Sequence, residues 1–214
     1  MSPKTLRFLI TAGPTREFLD PIRYISNRSS GKMGYAIAEA ARVVSAQVIL
    51  VSGPTALTAP KGVELVSVTT AQEMAEAAWS RFDAVDVCIM AAAVCDFRPK
   101  EMAGSKIKKA SFGGALELEP TPDILAELGR RKKSQVLIGF AAETDDLEKH
   151  AREKLVRKRL DLIVANDASA FDAETNRVAL MAGDGKIERL PEMTKAEVAK
   201  VIVERALGLI RSAG

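Results

Sequence analysis

Residues 24–34 read Tyr24-Ile25-Ser26-Asn27-Arg28-Ser29-Ser30-Gly31-Lys32-Met33-Gly34 and separate a short apolar run, residues 8–10, from a run with helical spacing that includes Ile37, Ala38 and Ala41. Small hydroxylated residues and two glycines therefore lie where a helix is predicted to begin. The first turn of a helix has unpaired backbone N–H groups and a partial positive charge, so this segment is a candidate phosphate-binding turn. Its spacing matches neither the GxxxxGK[ST] nor the GxGxxG fingerprint. By itself, the segment is interpreted equally well as an ordinary capping loop.

On both sides of this segment, short apolar runs alternate with longer stretches whose apolar residues recur with helical period. The apolar runs predict strands at residues 6–10, 48–52, 63–68, 85–90, 136–140 and 160–165. The longer stretches predict helices at residues 34–44, 71–82 and 147–159, and a further helix capped by Thr121 with Pro122 at its first position. This alternation is typical of an α/β fold, a mostly parallel sheet with helices on both faces.

Two further parts of the chain predict smaller β elements. Residues 100–119 are rich in charge and glycine and have little helical period, which indicates a flap of loop and short strands that leaves the main sheet. Residues 177–181 and 186–190 are β-like runs joined by Gly183-Asp184-Gly185, a hairpin pattern. The chain closes with a predicted helix at residues 194–209, capped by Thr194 with Glu197 three residues later.

Small or polar residues follow four of the predicted strands. They read Gly13-Pro14-Thr15, Ala92-Ala93-Val94-Cys95-Asp96, Ala141-Ala142-Glu143-Thr144 and Asn166-Asp167. The carboxyl ends of parallel strands lie at one edge of a sheet, where the ligands of open α/β sheets bind. The four ends together predict a binding crevice, although any one of them is more often an ordinary turn.

Several side chains near this edge are candidates for chemistry. Asp96 is suited to hold Mg²⁺ or a ribose hydroxyl, and it is equally suited to cap a turn. Lys106, Lys108 and Lys109 could neutralise a triphosphate, whereas their spacing by itself favours an exposed basic loop. Asn27 offers an amide donor and an acceptor at the candidate phosphate turn, and its alternative role is turn chemistry.

The composition limits the classes of protein to be considered. Apolar residues make up 47% and charged residues 28% of the 214 residues, which predicts one globular domain over residues 1–214. Lys and Arg exceed Asp and Glu by only 31 to 28, too small an excess for a general nucleic-acid binder. Two cysteines and one histidine exclude a disulfide framework and a Cys/His zinc site, and we expect a cytoplasmic protein. No apolar run is long enough for a signal peptide or a membrane span, so no membrane partner is expected.

Seven blocks of the sequence match, in the same order, the motifs of one known family. The blocks are Ile10-Thr11-Ala12-Gly13-Pro14-Thr15-Arg16, Asp20-Pro21-Ile22-Arg23-Tyr24-Ile25-Ser26-Asn27, Ser29-Ser30-Gly31-Lys32-Met33-Gly34, Ala92-Ala93-Val94-Cys95-Asp96-Phe97-Arg98, Lys106-Ile107-Lys108-Lys109, Gly139-Phe140-Ala141-Ala142-Glu143-Thr144 and Ala165-Asn166-Asp167. They resemble the bacterial phosphopantothenoylcysteine synthetases and cover nearly the whole chain. The resemblance implies a Rossmann-like fold and a homodimer. It also implies either a stand-alone synthetase or a domain excised from a fusion with a flavin-dependent phosphopantothenoylcysteine decarboxylase.

The resemblance further implies a reaction and a set of site residues. In that family, CTP and 4′-phosphopantothenate form an acyl-cytidylate and pyrophosphate with Mg²⁺, and the amine of L-cysteine then displaces CMP to form an amide. The implied catalytic residues are Asn27, at the acyl-cytidylate, and Lys106, at the phosphates. The implied nucleotide-binding residues are Gly13, Ser29, Ser30, Gly31, Ala92, Ala93, Asp96, Lys108 and Phe140, and Asp96 is also the implied metal ligand. Cys95 stands where the family usually has alanine, which adds a thiol beside the expected nucleotide.

Two other functions remain as alternatives. A nucleotide-binding homologue without catalysis would need neither Asn27 nor Lys106, and both are present. An NAD(P)-dependent reductase is disfavoured because the GxGxxG fingerprint and a Tyr-xxx-Lys pair are both missing: Tyr24 and Tyr35 are followed four residues later by Arg28 and Glu39.

Overall fold

The computed structural model describes residues 5–44, 46–109, 113–143, 147–167, 175–183 and 185–212. In chain order, its strands are β1 (Arg7–Ala12), β2 (Arg16–Phe18), β3 (Tyr24–Ser26), β4 (Gln47–Ser52), β5 (Glu64–Ser67), β6 (Val87–Met90), β7 (Phe97–Pro99), β8 (Leu118–Pro120), β9 (Val136–Glu143), β10 (Leu162–Asp167), β11 (Thr175–Asn176), β12 (Val178–Ala182), β13 (Ile187–Arg189) and β14 (Met193–Thr194). Its helices are α1 (Lys32–Val43), α2 (Ala71–Phe82), α3 (Ile124–Arg131), α4 (Leu147–Arg157) and α5 (Lys195–Ser212).

The longer strands form one sheet in the order β13-β12-β10-β9-β6-β1-β4-β5. From β10 to β5 the strands are parallel, and β12 and β13 continue the sheet in antiparallel pairing. The interior strands are apolar because neither of their faces meets water: Phe8, Leu9 and Ile10 in β1 are all fully buried. The predicted mostly parallel, Rossmann-like sheet is confirmed.

Helices cover both faces of this sheet, as predicted. Phe8 and Ile10 pack with α1 and α5 on one face, whereas Leu9 packs with α2, α3 and α4 on the other, because successive side chains of a strand point in opposite directions. Helix α1 lies very close to β1 at Gly34, where a Cβ atom would be 2.5 Å from the Cβ of Ala12. Only glycine fits this contact. Within the described ranges, no helix has both the length and the apolar character needed to cross a bilayer.

The start of α3 differs from the prediction. The helix begins at Ile124, and its N-cap is Asp123, whose carboxylate accepts the N–H of Ala126 at 3.1 Å. The prediction that Thr121 caps this helix is wrong, because the Thr121 hydroxyl donates to the carbonyl of Cys95 at 2.5 Å instead. The helix predicted at residues 71–82, by contrast, is α2 with the same bounds.

The shorter strands pair as antiparallel ribbons outside the main sheet. The β7–β8 ribbon flanks residues 100–117, so the predicted small β element beside the flap is confirmed. The β2–β3 hairpin was not predicted, because each of its strands has only three residues. Distant groups fix it: the N–H of Arg16 donates to the Thr69 carbonyl, and a carboxylate oxygen of Glu17 accepts the N–H of Ala71, both at 2.8 Å.

The last part of the chain follows the prediction closely. Strands β12 and β13 form the expected hairpin, and Asp184 of its turn lies outside the described residues. At the start of α5, the Thr194 N–H donates to the Glu197 carboxylate at 2.8 Å, and the Thr194 hydroxyl accepts the Glu197 N–H at 3.3 Å. These reciprocal bonds are the predicted capping box.

Candidate functional site

The chain order of the sheet places a crevice between the carboxyl ends of β1 and β6. From β1 the chain moves to β4 and β5 on one side, and it then returns to β6 on the other side of β1. At such a switch point the connections leave in opposite directions, which opens a crevice for a ligand. The prediction that four strand ends lie at one edge of the sheet is therefore confirmed. The side chains of Ala142, Glu143, Asn166 and Asp167, and all of Thr144, lie outside the described residues.

Hydrogen bonds join the loop after β1 to the loop after β6. The N–H of Ala93 donates to the Gly13 carbonyl at 2.9 Å, and the N–H of Thr15 donates back to the Ala93 carbonyl at 3.3 Å. The buried hydroxyl of Thr11 accepts the N–H of Ala92 at 3.1 Å. The N–H groups of Ala92 and Ala93 are therefore used within the protein. These two alanines therefore present small apolar side chains to a ligand.

A cavity of about 820 Å³ opens over these loops, and we call it the rim cavity. Eight of the predicted site residues line it, namely Asn27, Ser29, Ser30, Gly31, Ala92, Ala93, Asp96 and Phe140. Its volume is within the range of small-molecule sites, roughly 300–1,000 Å³. The structure thus brings into one cavity residues that are more than a hundred positions apart in sequence.

The amino terminus of α1 opens into the rim cavity without a side-chain cap. Its N-cap is Gly31, in the left-handed region at φ 79°, and its first turn contains no acidic residue. Helix α2, by comparison, has a complete capping box formed by Thr70 and Glu73. The positive end of the helix dipole therefore faces the rim cavity with no acidic side chain in the first turn to offset it, which favours an anion there.

Asn27 and the two serines form the turn that leads into α1. The Asn27 side-chain oxygen accepts the N–H of Ser29 at 3.0 Å, and the Ser29 hydroxyl accepts the N–H of Gly31 at 3.3 Å. Ser26, just before the turn, is tied to the first loop by a bond from its hydroxyl to the Thr15 carbonyl at 2.7 Å. Within the described part of the chain, the Asn27 amide nitrogen makes no hydrogen bond, so it can donate to a ligand.

The cationic side of the cavity was not predicted. The lysines that line it are Lys32, Lys154, Lys158 and Lys195. Lys154 donates to the Phe140 carbonyl at 2.7 Å, which holds its ammonium group beside the cavity. The sequence predicts a helix at residues 147–159, but none of its lysines was a predicted site residue. The available signal was the four-residue spacing of Lys154 and Lys158, which places both on one side of the helix predicted at residues 147–159, although α4 itself ends at Arg157.

The acidic residues of the cavity have different environments. Asp123 pairs with Lys158 at 2.8 Å, and although burial opposes ionisation, the hydrogen bonds from Lys158 and the Ala126 N–H hold the pKa of Asp123 below its usual value. Asp96 is exposed at the cavity and has no ion pair among the described residues. Three or more metal-ligating side chains are not grouped anywhere in the described ranges. A cation at Asp96 would therefore need phosphate oxygens as further ligands, which is how Mg²⁺ is usually held.

Lys106 and Lys108 do not line the rim cavity. Together with Leu19, Arg23, Ile107, Lys109 and Leu116, they line a separate opening of about 650 Å³, which we call the flap cavity. The structure therefore separates the predicted catalytic residues, placing Asn27 in one cavity and Lys106 in the other.

Gly13 and Cys95 support the rim rather than line the cavity. Gly13 has a positive φ of 74° and lies behind Gly31, where a Cβ atom would be 3.3 Å from the Gly13 Cα atom. Cys95 is buried, and its sulfur faces the Thr15 carbonyl at 3.6 Å. Burial raises the pKa of the Cys95 thiol, so the thiolate is disfavoured. The Cys95 thiol does not line the rim cavity, and its placement beside a nucleotide stays a prediction.

Comparisons with known proteins found similarity over almost the whole chain. The family model described as the DNA/pantothenate metabolism flavoprotein C-terminal domain matches residues 4–209. The coenzyme A biosynthesis bifunctional protein CoaBC of Bacillus subtilis (strain 168) is 51% identical over 211 residues, 96% of this chain and 52% of that protein. A cysteine/cysteine sulfinic acid decarboxylase from an unknown prokaryotic organism is 44% identical over 210 residues, 95% of this chain and 58% of that protein.

A solved structure is similar over nearly its whole length. The crystal structure of the C-terminal domain of a coenzyme A biosynthesis bifunctional protein CoaBC has a TM-score of 0.86 and 47% sequence identity, covering 97% of this chain and 96% of that one. The curated relatives are longer, and the chain spans little more than half of their length.

Proposed function

This chain belongs to the DNA/pantothenate metabolism flavoprotein C-terminal domain family, and on that premise we propose that it is a CTP-dependent phosphopantothenate–cysteine ligase of coenzyme A biosynthesis. In the first step, the carboxylate of 4′-phosphopantothenate attacks the α-phosphorus of CTP. An acyl–oxygen–phosphorus bond forms, the bond to the β-phosphate breaks, and pyrophosphate leaves. In the second step, the amine of L-cysteine attacks the acyl carbon. The amide bond forms, the acyl–oxygen bond breaks, and CMP and a proton leave.

The observation that carries this proposal is the rim cavity. Its described lining has four lysines against two aspartates, and the uncapped amino terminus of α1 adds further positive potential. The phosphorylated substrates, intermediate and products of the reaction are all anions, and such a cavity concentrates them. The volume is large enough for a nucleotide beside an acyl group. The relative named CoaBC supports the same chemistry, since its name refers to coenzyme A biosynthesis.

The residues around Asn27 have defined tasks in this proposal. The N–H groups at the start of α1, with the hydroxyls of Ser29 and Ser30, hold phosphate oxygens. The Asn27 amide donates to the acyl-cytidylate at its carbonyl, where negative charge develops during attack by cysteine. The bond from the Ser29 N–H fixes the Asn27 side chain before the substrate arrives. Fixing the side chain in advance favours catalysis, because a hydrogen-bond donor stabilises the transition state most when it does not have to reorganise during the reaction.

Asp96 is the proposed magnesium ligand. Its exposed carboxylate lies at the same cavity as the phosphate-binding helix end. A bound Mg²⁺ ion would offset the charge of the phosphate oxygens. A ribose hydroxyl is the alternative partner of this carboxylate.

Lys106 is the proposed cation that offsets charge on the phosphates in the first step. It lies in the flap cavity, so this role requires the segment around it to face a nucleotide during the reaction. CTP is the proposed nucleotide because residues 92–96 and 106–109 follow the pattern of the bacterial enzymes. Equal kcat/KM values for CTP and ATP would contradict this choice.

We also propose that the protein is a cytoplasmic homodimer. Phe97, Met102 and Leu118 are each about half exposed on or beside the β7–β8 ribbon, and large apolar side chains exposed near one another are typical of association surfaces. Both cysteines are free thiols, as a reducing compartment favours. Light scattering after gel filtration would test the dimer, and a monomer at all concentrations would contradict it.

The deciding experiment measures pyrophosphate release with 4′-phosphopantothenate and each of the four nucleoside triphosphates, with and without L-cysteine. We expect CTP to give release without cysteine and multiple turnovers only with it. Binding of CTP without any release would favour the non-catalytic homologue. The reductase would be favoured if no nucleoside triphosphate binds and if unfolding releases a compound that absorbs in the nicotinamide band.

A second measurement tests the cavity itself. Lys158→Met should weaken CTP binding about tenfold or more, because loss of one charged hydrogen bond costs about 1.5–3 kcal/mol. Lys132→Met is a matched control, since Lys132 also pairs with a carboxylate, that of Asp161 at 2.7 Å, but does not line the rim cavity. Equal affinities in the two variants would contradict the placement of the nucleotide.

A further inference from the structure

The turn of the β2–β3 hairpin contains a buried carboxylate with an unusual number of donors. Asp20 is fully buried, and one of its oxygens accepts the N–H groups of Ile22 and Arg23, both at 2.9 Å. The other oxygen accepts hydrogen bonds from two nitrogens of the Arg23 guanidinium, at 2.9 and 2.5 Å, and from the N–H of Ile107 at 3.2 Å. A buried carboxylate is costly unless it is paired in this way.

These bonds connect two segments that are far apart in the sequence. Ile107 lies between Lys106 and Lys108 in the flap, 87 positions after Asp20. The Arg23 guanidinium also donates to the Ile107 carbonyl at 2.8 Å, so both polar backbone groups of Ile107 are held by the hairpin turn. At the other end of the flap, the N–H of Ala103 donates to the Leu19 carbonyl at 3.0 Å.

The same hairpin also reaches the rim cavity. Its strand β3 ends at Ser26, and the next residue, Asn27, lines that cavity. The base of the hairpin is fixed to the body of the protein through Arg16, Glu17 and Ser26. One short, anchored ribbon therefore carries Asn27 at its base and holds the Lys106 segment at its turn.

We propose that Asp20 is a positioning residue for the ligase reaction, whose carboxylate fixes the Lys106 segment to the hairpin turn so that Lys106 acts from a defined place. This inference rests on the proposed function, because it matters for catalysis only if Lys106 takes part in the first step. The Arg23 guanidinium outweighs the effect of burial and holds the pKa of Asp20 well below its usual value, so the carboxylate is charged at neutral pH.

Asp20→Asn is the variant that tests the inference. The amide keeps the size of the side chain but has only one acceptor oxygen, so it cannot serve both the turn N–H groups and the pair formed by Arg23 and Ile107. Asp86→Asn is the matched control: the Asp86 carboxylate also accepts a backbone N–H, that of Arg7 at 2.9 Å, at the opposite edge of the sheet. Hydrogen exchange should become faster at residues 103–109 in Asp20→Asn and stay unchanged in Asp86→Asn.

The kinetic readout is acyl-cytidylate formation measured by rapid quench without cysteine. We expect Asp20→Asn to slow it about tenfold, which corresponds to roughly 1.4 kcal/mol in the barrier. In a Lys106→Gln background, Asp20→Asn should cause no further loss, because a residue that acts through Lys106 has nothing left to position. A merely structural role would give the same loss in both backgrounds, and that result would overturn the inference.

Two further results keep the test decisive. If Asp20→Asn does not fold, Ile107→Pro removes the Ile107 N–H that Asp20 accepts while leaving the hairpin turn intact, and it should give the same changes in exchange and rate. Unchanged exchange in whichever variant folds would overturn the inference. If the wild-type enzyme forms no acyl-cytidylate, the ligase proposal and this inference are both overturned. If the wild-type enzyme does ligate and Asp20→Asn forms the acyl-cytidylate as fast as Asp86→Asn, this inference alone is overturned.

Discussion

Gly31→Ala should destabilise the protein strongly, because two separate costs meet at this residue. Gly31 has φ 79°, and an L-residue in the left-handed region costs about 1–2 kcal/mol. The new Cβ would also lie 2.7 Å from the Cγ2 atom of Thr55, and overpacking of this kind costs about 1–3 kcal/mol. Since a chain of this size loses about 2–4 °C per kcal/mol, we expect the melting midpoint to fall by about 10 °C.

The two costs can be separated by a double-mutant cycle. Thr55→Ser removes Cγ2 but keeps the hydroxyl that donates to the Tyr35 hydroxyl and accepts the N–H of Leu57, both at 3.3 Å. In that background, Gly31→Ala should lose only the part that comes from φ, about 1–2 kcal/mol.

Urea unfolding followed by circular dichroism measures all four proteins of the cycle. Gly104→Ala is the control, because Gly104 has no atom within 4 Å of its Cβ position and no positive φ. It should change the free energy of unfolding by no more than about 0.5 kcal/mol. The reasoning is refuted if Gly31→Ala costs no more than Gly104→Ala, and the contact with Thr55 is refuted if the loss is the same in both backgrounds.

Three other predictions concern the site. Lys106→Gln should slow acyl-cytidylate formation by roughly 10²–10³, the effect of losing one electrostatic contact. Asn27→Asp should keep the acceptor for the Ser29 N–H and make the intermediate form slowly or persist. Rapid quench followed by a cysteine chase distinguishes the two variants, and a wild-type rate in Lys106→Gln would contradict the role assigned to Lys106. The lowered pKa of Asp123 stabilises the folded protein above the ordinary aspartate value of about 3.9, and this contribution is lost as the pH falls through the folded value. Urea unfolding between pH 2 and 6 should therefore show a steeper acid loss in wild type than in Asp123→Asn, and parallel curves would contradict this. Residues 100–114 should exchange amide hydrogens more slowly when CTP and the acyl substrate are added, and strong protection that CTP leaves unchanged would contradict a flap.

The fold and the edge that carries the site could be predicted because their signals are local. The apolar run of β1 and the helical period of α2 are each written in consecutive residues, and the Thr194 and Glu197 capping box needs only a three-residue spacing. Once the strands are parallel, their carboxyl ends must share one edge. Asn27, Ser29 and Gly31 follow in the same way, since they precede a helix that begins at that edge.

Where a choice depended on distant residues, local signals were insufficient. Thr121 and Asp123 are both good helix caps by residue type, and a carbonyl 26 positions away at Cys95 takes the Thr121 hydroxyl. Likewise, Ala92 is an implied nucleotide-binding residue, and only the structure shows that its N–H group donates to the Thr11 hydroxyl, 81 positions away.

The sequence by itself determined the parallel α/β sheet, the edge that carries the rim cavity and the turn that leads into α1, because propensity, capping and periodicity act between near neighbours. Only the tertiary structure decided that Lys154 and Lys158 face the cavity and that Asp20 holds Ile107. It also decided that Lys106 lies apart from Asn27. Whole elements pack so as to exclude water, and this packing decides which way the lysines point and which donor a buried carboxylate contacts. The free energy of that packing comes from contacts between distant segments, so no single segment determines it.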